Sequence, residues 1–299
     1  MNNDAPIKKK TETMKAATAK PLKFDINASR QTDPVFDVKA FTPKRQEEGE
    51  PNIAQGIDLS GRTKIIFVNG RGKTGKTTFL RWVTERALLG GRPILMADLD
   101  PTNASFSSYF SDVARPDTDD PAGVARWMQR FIEFAIENNT SAVLDMGGGD
   151  TTLRATADEL PGFASEIEAS GASPVLLTMI GAQPDDLAPI STLSDRDFAP
   201  EARAIILNEA SKEIGVGRDV GFAAIFNSPI TINEIRSGAL PLWMPRLNAA
   251  AAVESRRCLF SAARDGRTVP PLGVFERSKV RAWLDAMDRR FEGISSWLP

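Results

Sequence analysis

The chain has 299 residues, a length that suits two average domains or one α/β domain with a tail. Apolar residues make up 41% of it, and 37 basic against 39 acidic residues leave a net charge of -2, so we expect a globular protein whose overall charge does not attract nucleic acid. The lack of histidine excludes Ser-His-Asp and Cys-His catalysis and imidazole metal sites, and the single cysteine excludes an intrachain disulfide. No run approaches the roughly 18 apolar residues that span a bilayer, and we therefore expect a cytoplasmic protein.

The first 60 residues are polar and show no sustained helical period, which predicts a mostly disordered arm followed by one folded domain over residues 61–299. Lysines dominate the arm up to residue 23, and acidic residues outnumber basic ones from residue 25 to residue 60. This charge pattern is typical of a solvated tail, and a basic arm that contacts DNA phosphates or acidic lipid is the alternative.

From residue 61 onward, short apolar runs of strand length alternate with stretches of helix-like composition. The predicted strands cover residues 64–69, 93–99, 142–146, 174–180 and 202–208. A helix is predicted over residues 77–89, where two glycines end it, and an amphipathic helix over residues 278–291. The alternation predicts an α/β fold, with a doubly wound, mainly parallel sheet and helices on both faces.

The most specific motif lies between the first predicted strand and the first predicted helix. Residues 70–77 read GRGKTGKT and satisfy the phosphate-loop pattern G-x-x-x-x-G-K-[ST]. Its glycines let backbone N–H groups converge on phosphate oxygens, and the helix adds its positive end. Lys76 is predicted to reach the β- and γ-phosphates, and the Thr77 hydroxyl to ligate Mg²⁺. The nucleotide-binding residues predicted here are Gly70, Gly72, Lys73, Thr74, Gly75, Lys76, Thr77 and Thr78.

Two of the predicted strands end in acidic segments that read ADLDP and LDMGG. Together with the phosphate loop they resemble the ParA/MinD family of dimerising P-loop ATPases, and the resemblance covers about residues 62–290. It implies that Asp100 positions the attacking water and that Asp98 holds Mg²⁺ through water, with the two roles exchanged as the alternative. It further implies that Asp145 is the Walker B aspartate at the metal and that Gly148 donates its N–H to the γ-phosphate. For each carboxylate taken alone, helix capping at the end of a strand is the other interpretation.

A later part of the resemblance concerns the nucleotide base. Asn208 ends a strand like the asparagine that contacts adenine in this family, and Pro245 and Arg246 lie in a segment like the loop that closes over the ring. The N-K-x-D signature of guanine readers does not follow Asn208, so ATP is preferred over GTP. The resemblance thus implies ATP and Mg²⁺ as cofactors, with Thr77, Asp98 and Asp145 at the metal.

The phosphate loop departs from the family pattern at its first lysine. Aligned on the G-K-T end, Arg71 takes the place of the lysine that reaches across a face-to-face dimer, and Lys73 takes the place of the second glycine. Arginine keeps the positive charge and adds a forked donor for phosphate oxygens, although its reach differs from that of lysine. The resemblance therefore implies an ATP-dependent homodimer whose catalytic residues are Lys76, Asp100 and, in trans, Arg71. Lys73 either adds charge beside the phosphates or is a solvated loop residue.

These features favour an ATP-hydrolysing dimerisation switch of the ParA type in plasmid or DNA partition or in conjugative transfer, with a protein partner of adaptor or relaxase type. One alternative is a metabolic P-loop enzyme resembling dethiobiotin synthetase, for which Asp185 and Asp186 are the candidate acceptor residues unless they cap a helix. Another is a MinD-like ATPase that associates with a membrane through its C-terminal amphipathic helix. We do not expect membrane contact, because the same apolar stripe suits packing on the sheet.

Non-specific DNA contact is a further candidate property, and it would come from basic residues near the C-terminal end. The candidates are Arg256, Arg257, Arg264, Arg267, Arg277, Lys279, Arg281, Arg289 and Arg290. Interleaved acidic residues weaken the local field, so a solvated, salt-bridged face is the alternative.

Overall fold

One sheet of six parallel strands organises the chain. The computed structural model describes residues 49–100, 105–147, 151–194 and 198–299. The strands in chain order are β1 (Thr63–Asn69), β2 (Leu95–Asp98), β3 (Ala142–Asp145), β4 (Ala172–Ile180), β5 (Ala202–Asn208) and β6 (Leu240–Met244). They lie side by side in the order β2-β3-β1-β4-β5-β6, and every pair is parallel. The parallel sheet predicted from the alternating apolar runs is confirmed.

Helices connect the strands and continue beyond the last one. They are α1 (Lys76–Leu89), α2 (Pro121–Glu137), α3 (Thr151–Glu159), α4 (Phe163–Ala169), α5 (Ala188–Ser194), α6 (Arg218–Gly221), α7 (Ala223–Phe226), α8 (Pro229–Arg236), α9 (Ala250–Glu254), α10 (Phe260–Asp265) and α11 (Val274–Arg290). Short 3₁₀ segments cover Pro184–Leu187, Glu209–Ser211 and Glu292–Trp297.

The residues of β1 show why helices cover both faces of the sheet. Successive side chains of a strand point to opposite faces. Ile66 and Val68 pack with apolar side chains of α1, α10 and α11, whereas Ile65 and Phe67 pack with those of α2, α3 and α4. All four are fully buried, as expected for a strand in the middle of a parallel sheet.

Two predicted boundaries differ from the structure for local reasons. β2 is shorter than the predicted strand over residues 93–99, because it pairs with β3 on one side and with a single residue, Ala114, on the other. α11 begins four residues before the predicted helix over residues 278–291. Its first two residues, Val274 and Phe275, are exposed, so the periodic apolar pattern does not reach them.

The order of the strands places a crevice at the carboxyl end of β1. The chain passes from β1 by way of α1 to β2 at one edge, and the later strands β4, β5 and β6 extend the sheet on the opposite side of β1. Ligands of open α/β sheets bind at such a reversal of strand order. The loop that follows β1, residues 70–75, lies at this point.

The predicted N-terminal arm is described only from residue 49 onward. These residues belong to the compact unit Arg45–Pro299 and pack along its C-terminal end. The Gly56 N–H donates to Gly293 O at 2.9 Å, and the Trp297 indole N–H donates to Ile57 O at 2.8 Å. Residues 1–48 lie outside the described residues, and the boundary between residues 60 and 61 stays a prediction.

The C-terminal helix turns its apolar stripe inward. Val280, Trp283 and Met287 of α11 are buried against the sheet. In the described parts of the chain, no helix combines the length and the apolar composition needed to cross a membrane.

Candidate functional site

A cavity of about 580 Å³ opens at the carboxyl end of β1. This volume lies in the usual range for small-molecule and cofactor sites. The predicted site residues that line it are Gly72, Lys73, Gly75, Lys76, Thr77, Thr78, Asp100, Asp145, Asn208 and Pro245. Five others, Gly70, Arg71, Thr74, Asp98 and Arg246, are not among the lining residues, and Gly148 lies outside the described residues. The structure therefore brings most of the predicted phosphate and base contacts to one cavity.

The backbone of the phosphate loop takes conformations that favour glycine. Gly70 and Gly75 have φ angles of 132° and 101°, in the region that L side chains rarely adopt. A Cβ on Gly75 would lie 2.4 Å from the Asn208 amide nitrogen, so the loop also needs the close approach that glycine allows. Lys73 has a φ of 70° and is exposed at the cavity wall. Its contact with phosphate stays a prediction.

Lys76 begins α1 and folds back over its own loop. Its Nζ donates to Gly70 O at 2.7 Å and lies 3.4 Å from Arg71 O, and only 8% of the residue is exposed. Phosphate oxygens are stronger acceptors than carbonyl oxygens because they carry charge. The lysine can thus exchange its carbonyl partners for an anion that enters the loop.

Oxygen donors for a divalent cation lie beside the loop. The Thr77 hydroxyl is 2.7 Å from the hydroxyl of Ser105, and Asp145 ends the neighbouring strand β3. Burial raises the pKa of Asp145 to about 6, although the Lys76 charge opposes the shift. Among the described residues there is no group of three or more acidic, histidine or cysteine side chains able to hold a metal. The hydroxyl and the carboxylate fit Mg²⁺, which takes few protein ligands and completes its shell with water and phosphate oxygens.

The two aspartates that follow β2 have different surroundings. Asp98 is fully buried, and its carboxylate accepts the N–H groups of Asp100 and Ser107 at 3.2 Å each. Burial raises the pKa of Asp98, and these two hydrogen bonds oppose the shift. Asp100 lines the cavity, and its carbonyl oxygen accepts from Arg115 at 3.3 Å. Asp98 therefore holds the segment that carries Asp100, which is the residue that faces the cavity.

The part of the cavity beside Asn208 has an apolar wall. Met244, Pro245, Leu247 and Trp283 line it, and the Trp283 indole N–H donates to Pro245 O at 2.8 Å. Trp283 is a contribution that the sequence pattern did not assign to the site, since it was predicted only as part of an apolar stripe. This wall can accept the flat face of a nucleotide base.

Asn208 and Arg246 both make hydrogen bonds to backbone groups of the chain. The Asn208 amide donates to Thr74 O and accepts from Ala210 N–H, both at 2.9 Å, which leaves one donor and one acceptor position for a base. Arg246 donates to Glu209 O at 3.1 Å and to Lys212 O. Arg246 thus joins the turn after β5 to the segment after β6, and the base contact predicted for both residues stays a prediction.

Arg71 is paired within its own chain. Its Nη1 lies 3.6 Å from Asp185 Oδ2 and 3.8 Å from Asp186 Oδ1, in the segment that follows β4. Asp186 also accepts the Gln183 N–H at 3.3 Å, which caps the 3₁₀ segment Pro184–Leu187. The capping role considered for these aspartates is thus observed for Asp186, and Asp185 is an ion-pair partner. No sequence pattern signalled this pairing.

Several of the candidate DNA-contacting arginines are paired with acids. Arg264 and Arg267 contact Asp265 at 2.7 Å and 2.8 Å, and their hydrogen bonds lower the pKa of Asp265 to about 2. Arg290 contacts Glu50 at 2.9 Å and Glu209 at 2.8 Å. The salt-bridged face considered as the alternative describes these residues.

Comparisons with known proteins give weak likenesses. No protein-family profile and no curated protein matches the chain. Among solved structures, FtsY from Mycoplasma mycoides is 18% identical with a TM-score of 0.41, and the match covers 64% of this chain and 64% of that one, less than two thirds of its length. Chloroplast FtsY from Physcomitrella patens is 15% identical with a TM-score of 0.40, over 79% of this chain and 67% of that one. The MinC:MinD cell division protein complex of Aquifex aeolicus is 12% identical with a TM-score of 0.43, over 75% of this chain and 96% of that one.

At such scores these likenesses contribute nothing to the assignment of the site, which rests on its own geometry. A G-x-x-x-x-G-K-[ST] loop joins β1 to α1 at the point where the strand order reverses, and its lysine and threonine line the cavity there. The chain therefore has the P-loop type of α/β fold.

Proposed function

We propose that this chain binds MgATP, hydrolyses it slowly and dimerises in response to it, as a switch of the ParA/MinD type. The observation that carries the proposal is the phosphate loop, where Lys76 and Thr77 line one cavity together with Asp100 and Asp145. Each of these residue types has a separate task in phosphoryl transfer to water, as argued below.

The triphosphate is bound by the loop and by the start of α1. Backbone N–H groups of the loop and the positive end of this 14-residue helix attract the phosphate oxygens. Lys76 leaves Gly70 O and donates to the β- and γ-phosphates, where its charge offsets the charge that develops during hydrolysis.

Thr77 and Asp145 would hold Mg²⁺ at this end of the cavity. Bound there, the cation would neutralise negative charge on the triphosphate. Asp145 must be ionised to bind it, and the Lys76 charge favours the ionised form against burial, which raises the pKa of Asp145. The contact of Asp98 through water remains part of the proposal.

Asp100 is the residue we assign to the attacking water. It faces the cavity, whereas both oxygens of Asp98 are engaged by backbone N–H groups in a fully buried position. A carboxylate at the cavity wall can accept a hydrogen bond from water and orient its lone pair toward the γ-phosphate. This difference in surroundings argues against the exchange of roles between the two aspartates.

Dimerisation is the part of the proposal that involves Arg71. The arginine lies outside the cavity of its own chain and is 45% exposed in its side chain, so it is accessible to the nucleotide of a second subunit. Two such arginines repel each other in an empty dimer, and two bound triphosphates neutralise them. ATP should therefore favour the dimer more than ADP does.

The biological setting is proposed from the family resemblance. The switch would act in plasmid or DNA partition or in conjugative transfer, with an adaptor or relaxase-type protein that stimulates hydrolysis and with non-specific DNA contact by the ATP-bound form. No observation favours the two alternatives. Asp186 caps a 3₁₀ segment and Asp185 pairs with Arg71, and the apolar stripe of α11 is buried.

Light scattering of the wild-type chain with MgATP, with MgADP and without nucleotide tests the switch. We expect a larger mass with ATP than in the other two states, and we expect Arg71→Ala to bind ATP without this increase. Arg71→Lys should retain more of the response than Arg71→Ala. An equal mass of the wild-type chain in all three states would reject the nucleotide-dependent dimer.

A further inference from the structure

Helix α2 carries a second row of apolar side chains beside its buried row, and the described residues cover this second row only in part. Its inner row is buried against the sheet, but Trp127, Phe131 and Phe134 form a second row, and 53% of Phe134 is exposed. The rings of Trp127 and Phe131 stack with their centroids 5.3 Å apart and 13° between their planes. With Arg115, Asp117 and Arg130 they line a surface groove of about 570 Å³. We call Trp127, Phe131 and Phe134 the aromatic row of α2.

Four charged residues lie beside the aromatic row on its solvent side, and their charge changes from positive to negative along the helix. A helix advances by about 100° per residue, which puts all four of them on the same flank of the row. Two arginines occupy the first half of this flank, and two glutamates occupy the second half. These are Arg126 and Arg130, then Glu133 and Glu137. Within the described part of the chain, none of the four makes an ion pair, so their charges are available to a partner.

We propose that this face binds a second copy of the chain through antiparallel packing of α2 on α2. A two-fold axis near Phe131 brings each first half opposite the second half of the other helix. Arg130 of each copy then faces Glu133 of the other, and Arg126 faces Glu137. Trp127 meets Phe134 across the same axis, so the aromatic row is covered along its whole length.

The charge order favours a second copy over nucleic acid. The flank carries two positive and two negative residues, and it therefore lacks the excess of positive charge that phosphates require. An isologous contact needs a surface that is complementary to itself, and an arginine half followed by a glutamate half meets that need when the helices are antiparallel. Tryptophan and arginine, both present on this face, are also among the residue types that contribute most to protein interfaces.

This contact is separate from the proposed nucleotide-dependent dimer. It uses α2, which packs on the face of the sheet that also carries α3 and α4, whereas Arg71 precedes α1 and pairs with the segment after β4. The self-association through α2 should therefore occur without nucleotide and should persist in Lys76→Ala. Measurements without nucleotide distinguish its failure from a failure of the proposed function.

Sedimentation equilibrium over a concentration series, without nucleotide, measures the contact. We expect a reversible monomer–dimer equilibrium for the wild-type chain. Arg130→Glu and Glu133→Arg, each alone, should weaken the dimer about 10-fold or more, because each places like charges opposite one another twice. An equimolar mixture of the two variants should restore association, since every facing pair in the mixed dimer is again of opposite charge. The double variant R130E/E133R should restore it as well.

Phe134→Ser tests the apolar part, with Phe275→Ser of α11 as the matched control. Phe275 is 76% exposed, so both substitutions remove an exposed phenyl ring from a 17-residue helix. We expect loss of the dimer in the first variant and an unchanged dimer in the second. A monomeric wild-type chain, or a mixture of the charge variants that stays monomeric, would overturn the proposal. So would single-stranded DNA that binds the wild-type chain but not Phe134→Ser while the wild-type chain remains monomeric.

Discussion

Removing the partner that holds Arg71 in its own chain should strengthen the ATP-dependent dimer. In Asp185→Ala the pair at 3.6 Å is lost, and the weaker one to Asp186 at 3.8 Å remains. The side chains of Arg71 and Asp185 are 45% and 84% exposed, and exposed ion pairs contribute about 0.2–1 kcal/mol. A dimer that uses both arginines in trans breaks two such pairs. The substitution should therefore favour the dimer by about 0.4–2 kcal/mol, or about 2- to 30-fold in its dissociation constant.

Analytical ultracentrifugation with a non-hydrolysable ATP analogue, in a Phe134→Ser background that removes the α2 contact, measures this constant without turnover. Glu168→Ala is the matched control, because Glu168 is an exposed carboxylate of α4 with no ion pair to another described residue. The gain from Asp185→Ala should shrink as salt is added, since the pair is exposed. A dimer of Asp185→Ala that is as weak as the wild-type dimer or weaker, at low salt, would refute the idea that Arg71 must leave this pair to act in trans.

Three further substitutions test separate parts of the account. Asp100→Ala should leave the affinity for MgATP within about twofold and lower the hydrolysis rate by about 100-fold or more, as phosphate release will show; wild-type turnover would remove Asp100 from the chemistry. Glu85→Ala should lower the free energy of unfolding by about 1–3 kcal/mol, because the buried Glu85 carboxylate accepts two backbone N–H groups at the start of α10, at 2.7 Å and 2.9 Å. A loss below about 0.5 kcal/mol in urea unfolding would contradict this. Gly56→Ala should destabilise the protein by about 1–3 kcal/mol, since its Cβ would lie 2.4 Å from the Trp297 ring. Gly49→Ala is the control and should not destabilise it, because a Cβ there meets nothing within 4 Å. Equal melting temperatures of the two variants would show that residues 49–60 do not pack as described.

The sheet and the phosphate loop could be predicted because their signals are local in the sequence. Strands that are buried on both faces of a parallel sheet are continuous apolar runs, and β1, β4 and β5 read in this way. The loop motif specifies its own flanking elements, and the strand before it and the helix after it are both present. The sequence pattern also placed Asp145 at the end of a strand, where the structure has it.

Other features of the site depend on contacts between distant parts of the chain. Arg71 and Asp185 lie more than 100 positions apart in the sequence, and no motif links them. Trp283 reaches the apolar wall of the cavity only because α11 packs on the same face of the sheet as α1. The helices α6 to α10 are four to eight residues long, which is too short for a helical period to be recognised.

Calorimetric titration of the chain with MgATP tests the central claim, which is that the loop after β1 is a nucleotide site. We expect binding of one ATP per chain, and Lys76→Ala should weaken it by about 100-fold while the melting temperature of the nucleotide-free protein stays within a few degrees. Lys73→Ala is the control in the same loop. It should change the affinity far less, because Lys73 is exposed and the charge of Lys76 at the start of α1 is still present. A wild-type chain that shows no heat of binding with MgATP, or a folded Lys76→Ala variant that binds it as tightly as the wild type, would contradict the account.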